Sequence, residues 1–247
     1  MIRLDSTIHL DIRYATANNI VHRPVYRQAR AFLQRSAAQA LVRVHRTLSE
    51  KGYGLLVFDG YRPWSVTKIF WDSVRPEQRA FVADPKKGSK HNRACAVDLS
   101  LYDRATGKEV EMPSAYDETS ERASPSYAGG TPEQSARRDL LRSAMEKEGF
   151  TVEPNEWWHF NYKDWREYPI LDIPFEKIRE DSGSPANQTK TPSKAHAARM
   201  VITGQGAVEI TRAATLPRKK RETPLRPCVP MTTRSAPLSL AASAIAS

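Results

Sequence analysis

The stretch GSKHNRACAVDLSLYD, residues 88–103, decides the architecture. Its second half, Ala96–Asp103, alternates apolar and polar residues and runs into Thr106–Gly107, so the pattern predicts a strand entering a hairpin. Its first half carries His91, seven residues ahead of Asp98. On one regular strand that spacing would send the two side chains to opposite faces. His91 is therefore expected on the loop before the strand and Asp98 on the strand itself. Ala94, Cys95 and Ala96 are small enough to let that loop fold back. A second stretch, EWWHFNY at 156–162, is aromatic-rich and reads as another strand. Glu156 and His159 stand three apart, so one of them must precede the regular strand or sit at a bulge.

Outward from these stretches, helices and strands alternate without a regular βαβ rhythm, which points to the α+β class. Phe32, Leu33, Ala37, Ala40, Leu41, Val44 and Leu48 recur at helical spacing, so a helix is expected from about Tyr26 to Lys51, stopped by Gly52. YGLLVFD (53–59) is an apolar run of strand length. Short helices are expected after Pro63 and over Pro76–Val82. Thr131-Pro132-Glu133 opens a helix that carries Leu140, Leu141, Ala144 and Met145 on one face and closes at Gly149.

The formal charge of +10 looks like a nucleic-acid signal until it is located. Residues 183–247 hold ten Lys/Arg against two Asp/Glu, so +8 belongs to this segment and the rest of the chain is close to neutral. From Ser182 onward there is no Trp, Tyr or Phe. Such a composition buries too little apolar surface to offset ordering entropy. Residues 182–247 are therefore expected to be a basic, Pro/Ser/Ala-rich, largely disordered extension to a domain spanning 1–181, with at most a short hairpin at 200–211 around Gly204 and Gly206. RKKR at 218–221 is a basic cluster without interleaved aromatics, read as solvated rather than as a nucleic-acid site. No apolar run approaches the ~18–20 residues of a membrane span, and no membrane or nucleic-acid partner is expected. The first residues interleave charges with apolar side chains, unlike a secretory leader, so a cytoplasmic setting is expected. The two cysteines, Cys95 and Cys228, read as free thiols.

His91, Asp98 and His159 supply two imidazoles and a carboxylate as possible metal ligands, and Glu156 is a spare carboxylate. Three protein ligands with an open fourth position is the arrangement of a catalytic zinc site, and a further carboxylate is what hydrolysis needs to move protons. The same residues also fit plainer roles: hydrogen-bonded core histidines, a turn-capping aspartate, a solvated glutamate and a packed Trp157–Trp158 pair.

SKHNRACAVD and EWWH resemble the SxHxxGxAxD and ExWH signatures of the VanX-type zinc D-alanyl-D-alanine dipeptidases, a family related to D-Ala-D-Ala carboxypeptidases and to the hedgehog fold. DIRYATANN near the start, FDGYRP at 58–63, YDETSERASPSY at 116–127 and LLRSAMEKEGF before EWWH are similar to family segments in the family's order. The likeness runs from about residue 8 to residue 175. It implies a single α+β domain with a mostly antiparallel sheet packed by helices. It also implies one zinc ion per chain held by His91, Asp98 and His159, with Glu156 as base and Arg62 facing the scissile carbonyl. Ser89, Asp117 and Tyr14 fall where the family lines its substrate pocket. The implied substrate is a small dipeptide. The alternatives are a zinc D,D-carboxypeptidase or endopeptidase acting on peptidoglycan peptides, and a non-catalytic zinc-binding module. Arg62 has a second reading as a structural ion pair beside Asp59.

The departure from the motif is Ala94 in place of Gly. If that position has positive φ, alanine there costs on the order of 1 kcal/mol. Cys95, between two expected ligands, reads as a small buried thiol rather than a competing ligand.

Overall fold

The computed structural model describes residues 5–178 and 200–203. In chain order its strands are β1 (His9–Leu10), β2 (Ala31–Gln34), β3 (Tyr53–Asp59), β4 (Ala96–Asp103), β5 (Phe150–Glu153), β6 (Glu156–Tyr162) and β7 (Met200–Thr203). Its α-helices are α1 (Arg35–Ser49), α2 (Trp64–Ser73) and α3 (Pro132–Lys147). Five strands form one sheet in the order β1-β3-β4-β6-β5. Only the β1–β3 pairing is parallel; the others are antiparallel. The class is α+β, as the irregular succession of elements predicts.

β4 lies at the centre of the sheet. Its apolar/polar alternation does not separate core from solvent, because Asp98 and Ser100 are as buried as Val97 and Leu99. The polar face of the strand is covered, and that face carries the site. α1 buries Ala37, Ala40, Leu41, Val44 and Leu48, and it packs on β3 and on α3. Thr131 caps α3 as expected: its hydroxyl accepts from Gln134 N–H at 3.2 Å while Gln134 Oε1 accepts from Thr131 N–H at 3.0 Å. Gly52 and Gly149 follow α1 and α3 with φ of 83° and 87°, a backbone suited to glycine. The segment after Pro63 is α2, and Pro76–Phe81 is a 3-10 turn.

The expected helix over 26–51 needs correction, since it begins only at Arg35. Ala31–Gln34 is extended, and tertiary partners take up its backbone groups. Phe32 C=O accepts from Tyr61 N–H at 2.7 Å, and Gln34 N–H donates to Ala94 C=O at 2.8 Å. All four residues are buried, so apolar spacing alone could not distinguish the end of a helix from a strand buried on both faces. Gly60 lies so close to this strand that a Cβ there would stand 2.8 Å from Phe32 O. β2 pairs antiparallel with β7, Ala31 opposite Thr203. The hairpin expected around Gly204 and Gly206 lies outside the described residues, as does the rest of 182–247 apart from Met200–Thr203.

Candidate active site

The sheet register assembles the site. Asp98 on β4 stands opposite Asp59 on β3 and His159 on β6, so three neighbouring strands place three titratable side chains in one row. His91 opens a 3-10 turn, His91–Arg93, just before β4, which is the loop position the spacing argument requires. The β5–β6 pairing jumps from Val152↔Phe160 to Glu153↔Glu156. That irregularity is the bulge expected from the three-residue gap between Glu156 and His159.

The loop returns to the sheet through Ala94, in left-handed backbone at φ 55°, ψ 31° and fully buried. The motif glycine is therefore replaced at a position of positive φ. Cys95 is free and buried; its thiol donates to Arg93 C=O at 3.3 Å, and burial raises its pKa to about 12.

His91 Nε2 and His159 Nδ1 lie 3.2 Å apart, and they stand 3.3 and 3.1 Å from Asp98 Oδ1. The other ring nitrogen of each histidine is already committed. His91 Nδ1–H donates to Gly60 C=O at 2.6 Å, and His159 Nε2–H donates to Asn161 Oδ1 at 2.9 Å. Asn161 is oriented in turn by its Nδ2, which donates to Glu153 Oε2 at 2.8 Å. In the neutral rings the facing nitrogens thus carry lone pairs. They converge with a buried carboxylate oxygen that has no hydrogen-bond partner. With both rings neutral, three acceptors without a donor call for a cation, whether a proton or a metal ion. The corners of a four-coordinate site with bonds of ~2.0–2.1 Å lie about 3.3–3.4 Å apart, close to the observed triangle. The side chains present therefore fit a small metal ion, and they form the one such cluster among the described residues.

The electrostatics show that this point attracts positive charge. Burial opposes charge on His159, yet Asp98 beside it raises its pKa to about 9, so a proton occupies the ring where no metal ion does. Burial would likewise raise Asp98, but the two imidazoles hold it well below the usual carboxylate range. Tyr116 O–H donates to Asp98 Oδ2 at 3.0 Å, fixing the carboxylate rotamer.

Glu156 Oε2 lies 3.5 Å from His159 Nδ1. Burial, reinforced by Asp98 and Asp117, pushes its pKa up to about 7. Arg62 is buried, donating from Nε and Nη2 to Asp59 Oδ2 at 3.0 and 2.8 Å, with Nη2 3.8 Å from Asp98 Oδ2. Its guanidinium lies 5.0 and 4.8 Å from the Tyr14 and Phe70 ring centres. Arg62 thus forms the expected ion pair with Asp59 and also borders the cavity. Tyr14 O–H donates to Asp117 Oδ1 at 3.1 Å, and burial raises Asp117 to about 7. Ser89 Oγ accepts from His91 N–H at 3.1 Å.

All eight residues singled out in the sequence line one cavity of about 260 Å³, together with Phe70, Lys90, Glu153 and Trp158. Sequence reasoning missed Asn161, Tyr116 and the Lys90–Glu153 pair. Asn161 had a signal, because two residues beyond His159 on a strand is the same face. Tyr116 had none, since its hydroxyl reaches Asp98 only through the fold.

The chain is similar over residues 3–177 to the family described as D-ala-D-ala dipeptidase. It is 32% identical over 164 residues to the D-alanyl-D-alanine dipeptidase of Escherichia coli strain K12, which covers 66% of this chain and 83% of that one. It is 32% identical over 197 residues to the D-alanyl-D-alanine dipeptidase of Enterococcus faecium, covering 69% of this chain and 96% of that one. Among solved structures, an LD-carboxypeptidase superposes with a TM-score of 0.38 at 24% identity, covering 55% of this chain and 62% of that one.

Proposed function

Because the chain belongs to the D-alanyl-D-alanine dipeptidase family, we propose a division of labour for the hydrolysis of D-alanyl-D-alanine to two D-alanines. The chain is a metallopeptidase, and the metal we assign is zinc, one per chain, held by His91, Asp98 and His159. Two imidazoles and a carboxylate on a tetrahedral triangle are a ligand set of catalytic zinc. The ion supplies Lewis acidity, acidifying water and polarising the peptide carbonyl.

Glu156 takes the proton from the attacking water and passes it to the leaving amine. Its position beside His159 and its raised pKa support this, since a group that must both accept and return a proton works best with a pKa near the working pH. Arg62 presents a fixed positive charge to the oxyanion that develops at the carbonyl. Its bonds to Asp59 hold it in place, so little reorganisation is needed at the moment of reaction. Asp117, steadied by Tyr14, meets the substrate's free amine. Ser89 holds the His91 turn and borders the substrate.

The observation that carries this reading is the buried triangle of two imidazole nitrogens and a carboxylate oxygen, bordering a cavity that also holds Glu156 and Arg62. A volume of about 260 Å³ is below the ~300–1,000 Å³ of typical ligand pockets and supports a dipeptide over a longer peptide. Among the described residues no helix is long and apolar enough to cross a membrane. The proposed setting is the cytoplasm, in keeping with the free thiol of Cys95.

The test is Glu156→Gln, assayed for zinc content and for D-alanine release. Zinc should be retained while turnover falls by roughly 10²–10⁴-fold. Turnover near the parent level would remove Glu156 from the role. Release of D-alanine from a pentapeptide but not from the free dipeptide would favour the carboxypeptidase alternative.

A further inference from the structure

A dipeptide has a free carboxylate about one residue length, ~3.8 Å, beyond the scissile peptide. Burying that charge without a partner is costly, so a cation must stand close to the metal ligands. Apart from the histidines, the cavity is bordered by two basic side chains, Arg62 and Lys90. Arg62 is committed to Asp59, faces Asp98 and is packed between two rings.

Lys90 is differently placed. It immediately precedes His91, and its carbonyl accepts from Arg93 N–H and Cys95 N–H, both at 3.1 Å, so its backbone is held by the same turn that presents the ligand. Its ammonium donates to Glu153 Oε2 at 3.0 Å. That carboxylate is 4.0 Å from His159 Nε2 and accepts from Asn161. The Lys90 side chain remains 32% exposed, and an ammonium has three donors, of which Glu153 engages one.

We propose that Lys90 is a specificity-determining residue that binds the terminal carboxylate of the substrate, with Glu153 holding the ammonium at the wall of the cavity. This deepens the dipeptidase reading and rests on it. A substrate extended beyond its second residue would present a neutral amide to the ammonium and lose the charge-assisted bond. The site would thus select against longer peptides by what it fails to pair as well as by size.

The test uses the zinc-loaded full chain and the variants Lys90→Met, Lys90→Arg and Glu153→Gln. Steady-state kinetics on D-alanyl-D-alanine are combined with inhibition by its C-terminal amide. Lys90→Met should raise KM for the dipeptide roughly 10- to 100-fold, with kcat within about threefold of the parent. Its inhibition constant for the amide should match the parent's, and Lys90→Arg should recover most of the KM. Glu153→Gln, which removes the carboxylate that holds the ammonium, should raise KM by less than Lys90→Met does and leave the amide constant at the parent's value.

The assignment is overturned by KM and the amide constant rising by the same factor, or by kcat falling at unchanged KM. The second would mean that Lys90 acts through Glu153 on His159. A parent that binds zinc but does not release D-alanine from the dipeptide overturns the underlying function, and the Lys90 role with it. A parent active on the dipeptide whose KM is untouched by Lys90→Met overturns the Lys90 role alone.

Discussion

Replacing Asn161 by leucine isolates what holds His159 in the tautomer proposed to bind zinc. Asn161 Oδ1 accepts the His159 Nε2–H at 2.9 Å, and Asn161 Nδ2 donates to Glu153 at 2.8 Å. Leucine has similar bulk and neither group. It would leave a buried imidazole N–H without a partner, a loss of about 1–3 kcal/mol. It would also free the ring to place its proton on Nδ1, the nitrogen that faces Asp98 and His91. At 1.4 kcal/mol per tenfold this predicts zinc binding weaker by roughly 10- to 100-fold, the usual range for such orienting partners. The assay is competition against a chromophoric chelator, with thermal unfolding of the ion-free chain alongside to separate local from global damage. Glu153→Gln is the control: it keeps an acceptor for Asn161 and should hold zinc within about threefold of the parent. If Asn161→Leu binds zinc as tightly as the parent, the ring is oriented by packing alone and the relay through Asn161 is irrelevant.

Ala94→Val should be severely destabilising, because a β-branched side chain at φ 55° in a fully buried turn has no relaxed conformation; a loss of at least ~2 kcal/mol should lower the melting temperature by roughly 4–8 °C. Ala94→Gly should change it little, since relief of about 1 kcal/mol of backbone strain is offset by about 0.8 kcal/mol of lost methyl burial. Arg62→Met leaves Asp59 buried without its guanidinium, and breaking such a pair costs about 3–5 kcal/mol. Burial already raises the Asp59 pKa and would then act unopposed by that cation, so the loss in urea should be largest near pH 7.5 and shrink on acidification as the carboxyl takes a proton. An equal loss at pH 7.5 and pH 5.5 would show that Asp59 is not the group left stranded. Glu156 must be ionised to act as base, so kcat/KM falls as pH drops through its pKa; that pKa is about 7 without a cation, and zinc beside it shifts it down. The acid limb should therefore lie below pH 7, and a limb above 7 would contradict the assignment.

Much of the site was legible in one dimension because strand parity is a rigid rule. A seven-residue gap between His91 and Asp98, and a three-residue gap between Glu156 and His159, cannot fit regular strands with both side chains on one face. The turn before β4 and the bulge in β6 are where the chain satisfies that rule. The motif glycine raised the question of positive φ at this position, and Ala94 there has φ 55°. The boundary of α1 was not legible, because Phe32 and Leu33 fit a helical stripe and a buried strand equally well. The hydrogen bonds from Tyr61 and to Ala94 that decide between them span 29 and 60 positions of the chain.

The chain alone determined which residues have side chains capable of chemistry and how they divide between strand and loop, since side-chain periodicity and residue type are local properties. Only the tertiary structure decided that the register of β3, β4 and β6 sets Asp59, Asp98 and His159 in a row. It also turned two imidazole nitrogens and a carboxylate oxygen toward one point and brought Gly60, Asn161 and Tyr116 into hydrogen-bonding contact with His91, His159 and Asp98. Those facts depend on which distant backbones become neighbours, and that is settled by burying the whole core at once rather than by any segment's own preference.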